Sequence, residues 1–135
     1  MVFVDSNVFI AIWDLDNIHH QIAYEKSRNL ANEGEPVVIS NIVIYEVATI
    51  MAMRLSKQKS LAFLDSIRKS EFKIIFIDQQ IDRLAHDIFE KIKDKNVSFF
   101  DCTSFAIIQK FDIGKIFSFD KDFLKYGKNL GWQFV

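Results

Sequence analysis

Val2-Phe-Val4-Asp5-Ser6-Asn7 begins with three apolar residues and turns polar at a single acid. A run of β-branched and aromatic residues without polar alternation is what a strand covered on both faces requires, and such strands belong to parallel sheets. The pattern returns in Val37-Val-Ile39, Ile74-Ile-Phe-Ile77 and Ile116-Phe-Ser-Phe119, and Trp132 to Val135 is expected to add a last edge strand. Between these runs the apolar spacing becomes helical. Ile81, Leu84, Ala85, Ile88, Phe89 and Ile92 fall on one helix face at i, i+3, i+4, i+7, i+8 and i+11, with Asp82, Arg83, Asp87, Glu90 and Lys91 opposite. Further helices are expected over about 18–33, 41–55, 58–69 and 99–112, with Gly34, Pro36 and Gly114 as stop signals. Strands alternating with helices predict right-handed crossovers and an α/β fold, a three-layer α/β/α domain with a central, mainly parallel sheet.

The totals agree with one such domain over residues 1–135. Half of the residues are hydrophobic, Phe occurs 14 times, and Gly (4) and Pro (1) are scarce, which argues against disorder, solenoid repeats and flexible linkers. A chain of this length buries roughly two thirds of the surface it exposes when unfolded. Seventeen basic residues against eighteen acidic ones leave no overall positive field for holding nucleic acid, so an anionic substrate has to be held locally. The single Cys102 excludes an internal disulfide and suits a reducing compartment. Without a basic n-region or an apolar run near the ~20 residues of a membrane span, the chain is expected to be soluble and cytoplasmic, with no membrane partner.

Three segments almost free of charge each carry one isolated carboxylate: Asp5 in 1–13, Glu46 in 41–53 and Asp101 in 96–109. Asp120 ends a fourth apolar run and is followed by Asp122. An acid in an apolar segment costs stability unless it is paired or holds a metal. Asp5 and Asp120 stand at strand ends, and Glu46 and Asp101 stand near the starts of helices at the same edge, so acids remote in sequence are expected to converge where sites of this architecture lie. Two unit charges about 4 Å apart repel by roughly 4 kcal/mol at an effective dielectric of 20, so three or four carboxylates need a cation to stay ionised together. An all-oxygen set selects Mg²⁺ or Mn²⁺. Zinc needs closely spaced His or Cys, and His19, His20 and His86 form no such pattern. A water polarised by such an ion attacks phosphodiesters, which points to metal-assisted phosphoryl hydrolysis.

Each acid also has a plainer role open to it. Asp5 and Asp120 suit the N-caps of the helices that follow their strands, and Asp101 suits a capping box with Ser98. Glu46 is hardest to account for this way, because Ile42, Val43, Ile44, Val47, Ala48, Ile50 and Met51 surround it and a structural role would need a buried basic partner. Asp122 reads as an accessory or capping acid. Arg54, Lys57, Lys59, Lys121, Lys125 and Lys128 are available for phosphates but read mostly as solvated surface, and Trp13 and the Phe residues as core or interface.

The pieces Phe3-Val-Asp5-Ser-Asn7, Ser40-Asn-Ile-Val-Ile-Tyr-Glu46-Val, Phe99-Phe-Asp101-Cys-Thr-Ser-Phe-Ala106 and Phe117-Ser-Phe-Asp120-Lys-Asp-Phe123 together resemble a PIN-domain ribonuclease, in size like the VapC toxin of a toxin–antitoxin pair. They span nearly the whole chain in the family's order. The resemblance implies a Mg²⁺- or Mn²⁺-dependent endoribonuclease in which Asp5, Glu46, Asp101 and Asp120 match the four family acids, the first and third being the most regular metal ligands. Asn7 matches the polar residue two places after the first acid, and Asp122 the accessory acid. Ser6 and Ser118 stand where Thr is commoner, and both keep the hydroxyl. It further implies RNA as substrate, a homodimer and a protein antitoxin, for which Val8, Phe9, Ile12 and Trp13 offer an apolar surface that core packing explains equally well. Two other classes compete with this reading. One is a non-catalytic RNA- or partner-binding PIN-like regulatory module. The other is a phosphatase or receiver domain, disfavoured because Asn7 stands where a D-x-D would need its second acid and no Gly-rich phosphate loop exists.

Overall fold

The computed structural model describes residues 1–135. The elements run β1 (Val2–Val4), α1 (Ser6–Trp13), α2 (His20–Asn32), β2 (Val37–Ser40), α3 (Asn41–Arg54), α4 (Lys57–Lys69), β3 (Lys73–Ile75), α5 (Gln79–Lys91), α6 (Phe99–Lys110), β4 (Lys115–Phe117), α7 (Lys121–Lys128) and β5 (Gln133–Phe134). The strands form one five-stranded sheet in the order β3-β2-β1-β4-β5, and every pairing is parallel. From β1 to β3 the chain steps in one direction, and from β3 through β4 to β5 it steps in the other. Right-handed crossovers therefore place α1 to α4 on one face and α5 to α7 on the opposite face. The direction reverses between β1 and β4, and a crevice at the carboxyl ends of such neighbours is where ligands of open parallel sheets bind.

The core explains the Phe content. Phe3, Phe63, Phe105, Phe117 and Phe123 are fully buried, and both central strands β1 and β2 are closed to water over most of their length. On one face Phe9 and Trp13 meet Phe63, with centroids 5.7 and 6.2 Å apart; on the other, Phe105 stacks on Tyr126 at 4.3 Å and meets Phe123 at 4.7 Å. Trp132 folds back over α7, where a Cβ on Gly127 would lie 2.4 Å from its ring, so only glycine lets the last strand close on that helix. Val8 and Phe9 belong to this core and Ile12 and Trp13 pack against it, so core packing and not a partner accounts for them. The nearby apolar side chains that do face solvent are Leu15 and Ile18, 72% and 91% exposed. Nor is every Phe internal: Phe76, Phe89, Phe100 and Phe111 are exposed.

Two strands stop earlier than their apolar runs. β3 ends at Ile75 because the Ile77 N–H donates to the Asn41 side chain at 3.0 Å instead of to a neighbouring strand. β4 ends at Phe117 because the N–H groups of Phe119 and Asp120 donate to the side chains of Asn7 and Ser118, at 3.1 and 3.0 Å. Both runs leave the ladder at the carboxyl edge of the sheet, where side chains take over from backbone.

Candidate active site

Asp5 follows β1 directly and caps α1. One of its oxygens accepts the Ser6 N–H at 2.8 Å and the other accepts the Ser118 hydroxyl at 2.9 Å. Ser118, just beyond β4, also accepts the Asn7 side-chain amide at 3.2 Å, and Asn7 in turn accepts the Phe119 N–H. The tails of the two switch-point strands are thus tied by three side chains, Asp5, Asn7 and Ser118, and the first acid is held as an acceptor. The Ser6 hydroxyl donates to Glu46, which reaches over from the second turn of α3. Asp101 is the third residue of α6 in a reciprocal capping box with Ser98, at 3.0 and 3.1 Å. Asp120 caps α7 through the Asp122 N–H at 2.8 Å.

Asp5, Glu46 and Asp101, from three different elements, line one cavity of about 10 Å³ together with Ser6, Ile42, Val43, Phe100 and Ser104. Asp120 is not in its wall; it stands close enough to Asp101 for its charge to raise the proton affinity there. Burial pushes Asp5 up to about 7, and the charges of Asp101 and Glu46 act the same way, against the hydrogen bonds from Ser118 and Ser6. Asp101 is pushed to about 6, first by burial and then by Asp120 and Glu46, against its capping bonds. The carboxyl of Asp122 is raised as well, by loss of solvent and then by Asp120 and Asp94. No basic side chain offsets the shifts of Asp5 and Asp101, and only Lys125 acts against that of Asp122; the ion pairs of the molecule lie at Glu35, Asp65, Asp82 and Asp78.

The donors fit a hard dication. They are all oxygens, no basic side chain pairs with them, and the most buried of them is raised by burial and by the neighbouring acids, a shift that a bound cation would oppose. No group of three or more His, Cys, Asp or Glu side chains stands together as a ready metal-binding set. Mg²⁺ itself keeps several waters and needs only one or two carboxylates.

Several expectations need amendment. Asp5, Asp101 and Asp120 all cap helices, as their plainer role required, and capping leaves each of them a place at this edge of the sheet. Glu46 is half-buried, and its partner is a hydroxyl rather than a base, because Ser6 at the end of β1 lies beside α3, which begins at the end of the neighbouring β2. Ser104 was not singled out; it is buried in the cavity wall one turn after Phe100, and a serine inside an apolar helix was the available signal. Arg54, Lys57, Lys59, Lys121, Lys125 and Lys128 are all exposed, as solvated surface.

The geometry defines a class: a parallel α/β domain whose switch-point edge gathers acids without a base. Residues 2–129 match the PIN domain family, and the chain belongs to it. The sequence is 25% identical to the 23S rRNA-specific endonuclease VapC20 of Mycobacterium tuberculosis over 127 residues, covering 94% of this chain and 95% of that protein. The crystal structure of that VapC20, described as a sarcin-ricin loop cleaving toxin, superposes with a TM-score of 0.84 at 24% identity over 94% of this chain and 95% of the other. FitAcB from Neisseria gonorrhoeae has a TM-score of 0.70 at 18% identity, covering all of this chain and 96% of the other. A toxin–antitoxin complex from Klebsiella pneumoniae has 0.64 at 21%, covering 91% and 90%. The fold expected from the four motifs is the fold these proteins share. No helix is long and apolar enough to cross a membrane.

Proposed function

We propose that the chain is a Mg²⁺- or Mn²⁺-dependent endoribonuclease and the toxin of a toxin–antitoxin pair, acting in the cytoplasm as a homodimer restrained by a protein antitoxin. One observation carries the catalytic part: Asp5 is buried, held as a hydrogen-bond acceptor, faced by Glu46 and Asp101, and left without a cation of the protein's own. Asp5 and Asp101 would hold the ion, with Glu46 and Asp120 completing its surroundings. The chemistry such an ion supplies is polarisation of a water and of a phosphoryl oxygen. The protein's share is positioning. Ser118 and the Ser6 N–H fix both oxygens of Asp5, the Ser6 hydroxyl orients Glu46, and Asn7 keeps the two strand tails in register. The low-dielectric wall of Ile42 and Val43 strengthens every charge interaction in the cavity.

RNA as substrate and an antitoxin as partner rest on the likeness to VapC20 and to the toxin–antitoxin complex, and the homodimer on the family resemblance alone. The test is cleavage of total RNA, and of a sarcin-ricin loop oligonucleotide, with Mn²⁺ and with chelator. Cleavage with the ion that stops in chelator is expected. Cleavage undiminished in chelator ends the reading, and metal-independent RNA binding without turnover would put the regulatory module in its place.

A further inference from the structure

α6 begins with two adjacent rings that are used differently. Phe99 meets Phe89 at 5.5 Å and His86 at 4.9 Å and so fastens α6 to α5. Phe100 packs against no other ring and is not part of the core, yet it lines the same small cavity as Asp5, Glu46 and Asp101 while remaining 55% exposed. Single exposed apolar residues are ordinary on a surface; a large one in the wall of an acid site is not explained that way. The ring has no ionic or hydrogen-bonding use there, and a half-exposed phenyl beside carboxylates loses rather than gains from water. What it offers is a flat apolar face beside the place where a phosphodiester would lie. Bases splayed from a single strand or loop bind on such faces, whatever their identity, because every base has a π-face.

We infer that Phe100 is a stacking platform that takes the face of an unpaired base next to the bond to be cut. This rests on the endoribonuclease reading above and adds to it that the substrate presents an unstacked nucleotide at the site. It also distinguishes Phe100 from the remaining exposed rings, which line no part of that cavity.

The test uses the full chain. Phe100→Trp is rapidly mixed, with Mn²⁺, with a mixed-sequence single-stranded RNA oligonucleotide or with an abasic strand of the same length, and fluorescence is read before cleavage against the wild-type background from Trp13 and Trp132. Stacking quenches the new ring with bases present and not with the abasic strand. In steady-state cleavage of the same oligonucleotide, Phe100→Leu, which keeps apolar bulk and loses the ring, is expected to raise KM about tenfold with a far smaller fall in kcat. Phe100→Trp recovers most of that loss, and the melting temperatures stay together. A wild-type KM in Phe100→Leu, or fluorescence indifferent to the bases, overturns the inference. So does an effect of Phe100→Leu on sedimentation alone, which would make the ring a protein contact. These failures are separate from that of the parent reading, which falls if the wild type cleaves no RNA at all.

Discussion

The two ends of the sheet treat negative charge in opposite ways. At the amino end, beyond the start of β2, Glu35 is bound by the Met1 amine and by Lys115, the latter at 3.0 Å, and these partners hold its carboxyl below the usual range. At the carboxyl end Asp5 and Asp101 have hydroxyls and backbone amides but no cation, and burial among other acids holds them above it. The same residue class is therefore structural at one end, where the protein supplies the countercharge. At the other end the protein supplies none. The contrast also explains why sequence alone finds the second group more readily: an acid with a basic partner at the surface looks like any other, whereas an acid in an apolar run has no local account.

The most direct way to break the comparison is to remove one charge at each end, an acid at the carboxyl edge and the partner of an acid at the amino edge. Asp5→Asn or Asp101→Asn is expected to lower RNA cleavage by at least ~100-fold, the scale of losing one positioned charge partner in an active site. Lys115→Met, which strips Glu35 of a partner, should leave the cut positions and rate near wild type. A nuclease assay on one defined oligonucleotide reads all three. Equal losses at both ends would mean that the acids of the carboxyl edge are not special.

Metal addition comes next in size. A ligand that binds only the native state stabilises it by about 2.7 kcal/mol at a hundred times its Kd. Mn²⁺ at pH 8 should therefore raise the melting temperature by several degrees. Asp5→Asn and Asp101→Asn should remove the shift, and Lys115→Met should keep it. A shift retained by all variants would place the ion elsewhere.

The elements were legible in the sequence where two-sided burial or helical spacing left no alternative. The α5 stripe of Ile81, Ala85 and Ile88 is buried as its spacing requires, and the strand runs at Val2 and Val37 pair in parallel. What escaped was set by contacts between distant residues. Nothing near Ile77 or Phe119 announces that Asn41 and Asn7 will take their N–H groups out of the ladder. The Ser6–Glu46 bond spans 40 residues, so nothing near Glu46 in sequence shows that a hydroxyl, rather than a buried base, meets its carboxylate. At the site, residue type and apolar context marked the acids, but only topology shows that Asp5, Glu46 and Asp101 share a cavity while Asp120 stands beside it.

Without metal, stability should respond to pH through Asp5, whose folded value of about 7 lies above the ordinary 3.8. A carboxyl raised on folding contributes most below its unfolded value, and that contribution is lost as pH rises from about 4 to about 7. The metal-free protein is then expected to melt higher at pH 5 than at pH 8. Asp5→Asn, which removes the charge and keeps one acceptor oxygen, should flatten that slope and melt above wild type at pH 8. Melting curves across the range check it; a wild type whose stability rises with pH through this window would reverse the sign assigned to Asp5.

The smallest effect belongs to the amino end and has the opposite sign. Glu35 is lowered on folding, so its pairing stabilises above its unfolded value and is lost as pH falls through the folded one. Lys115→Met should accordingly lower the melting temperature slightly at neutral pH, less so in high salt because the pair is near the surface, and the deficit should close on acidification. At pH 8 the two substitutions then move the same protein in opposite directions, Asp5→Asn upward and Lys115→Met downward. That divergence separates a carboxylate with its own cation from one without, and it needs no RNA and no metal to be seen.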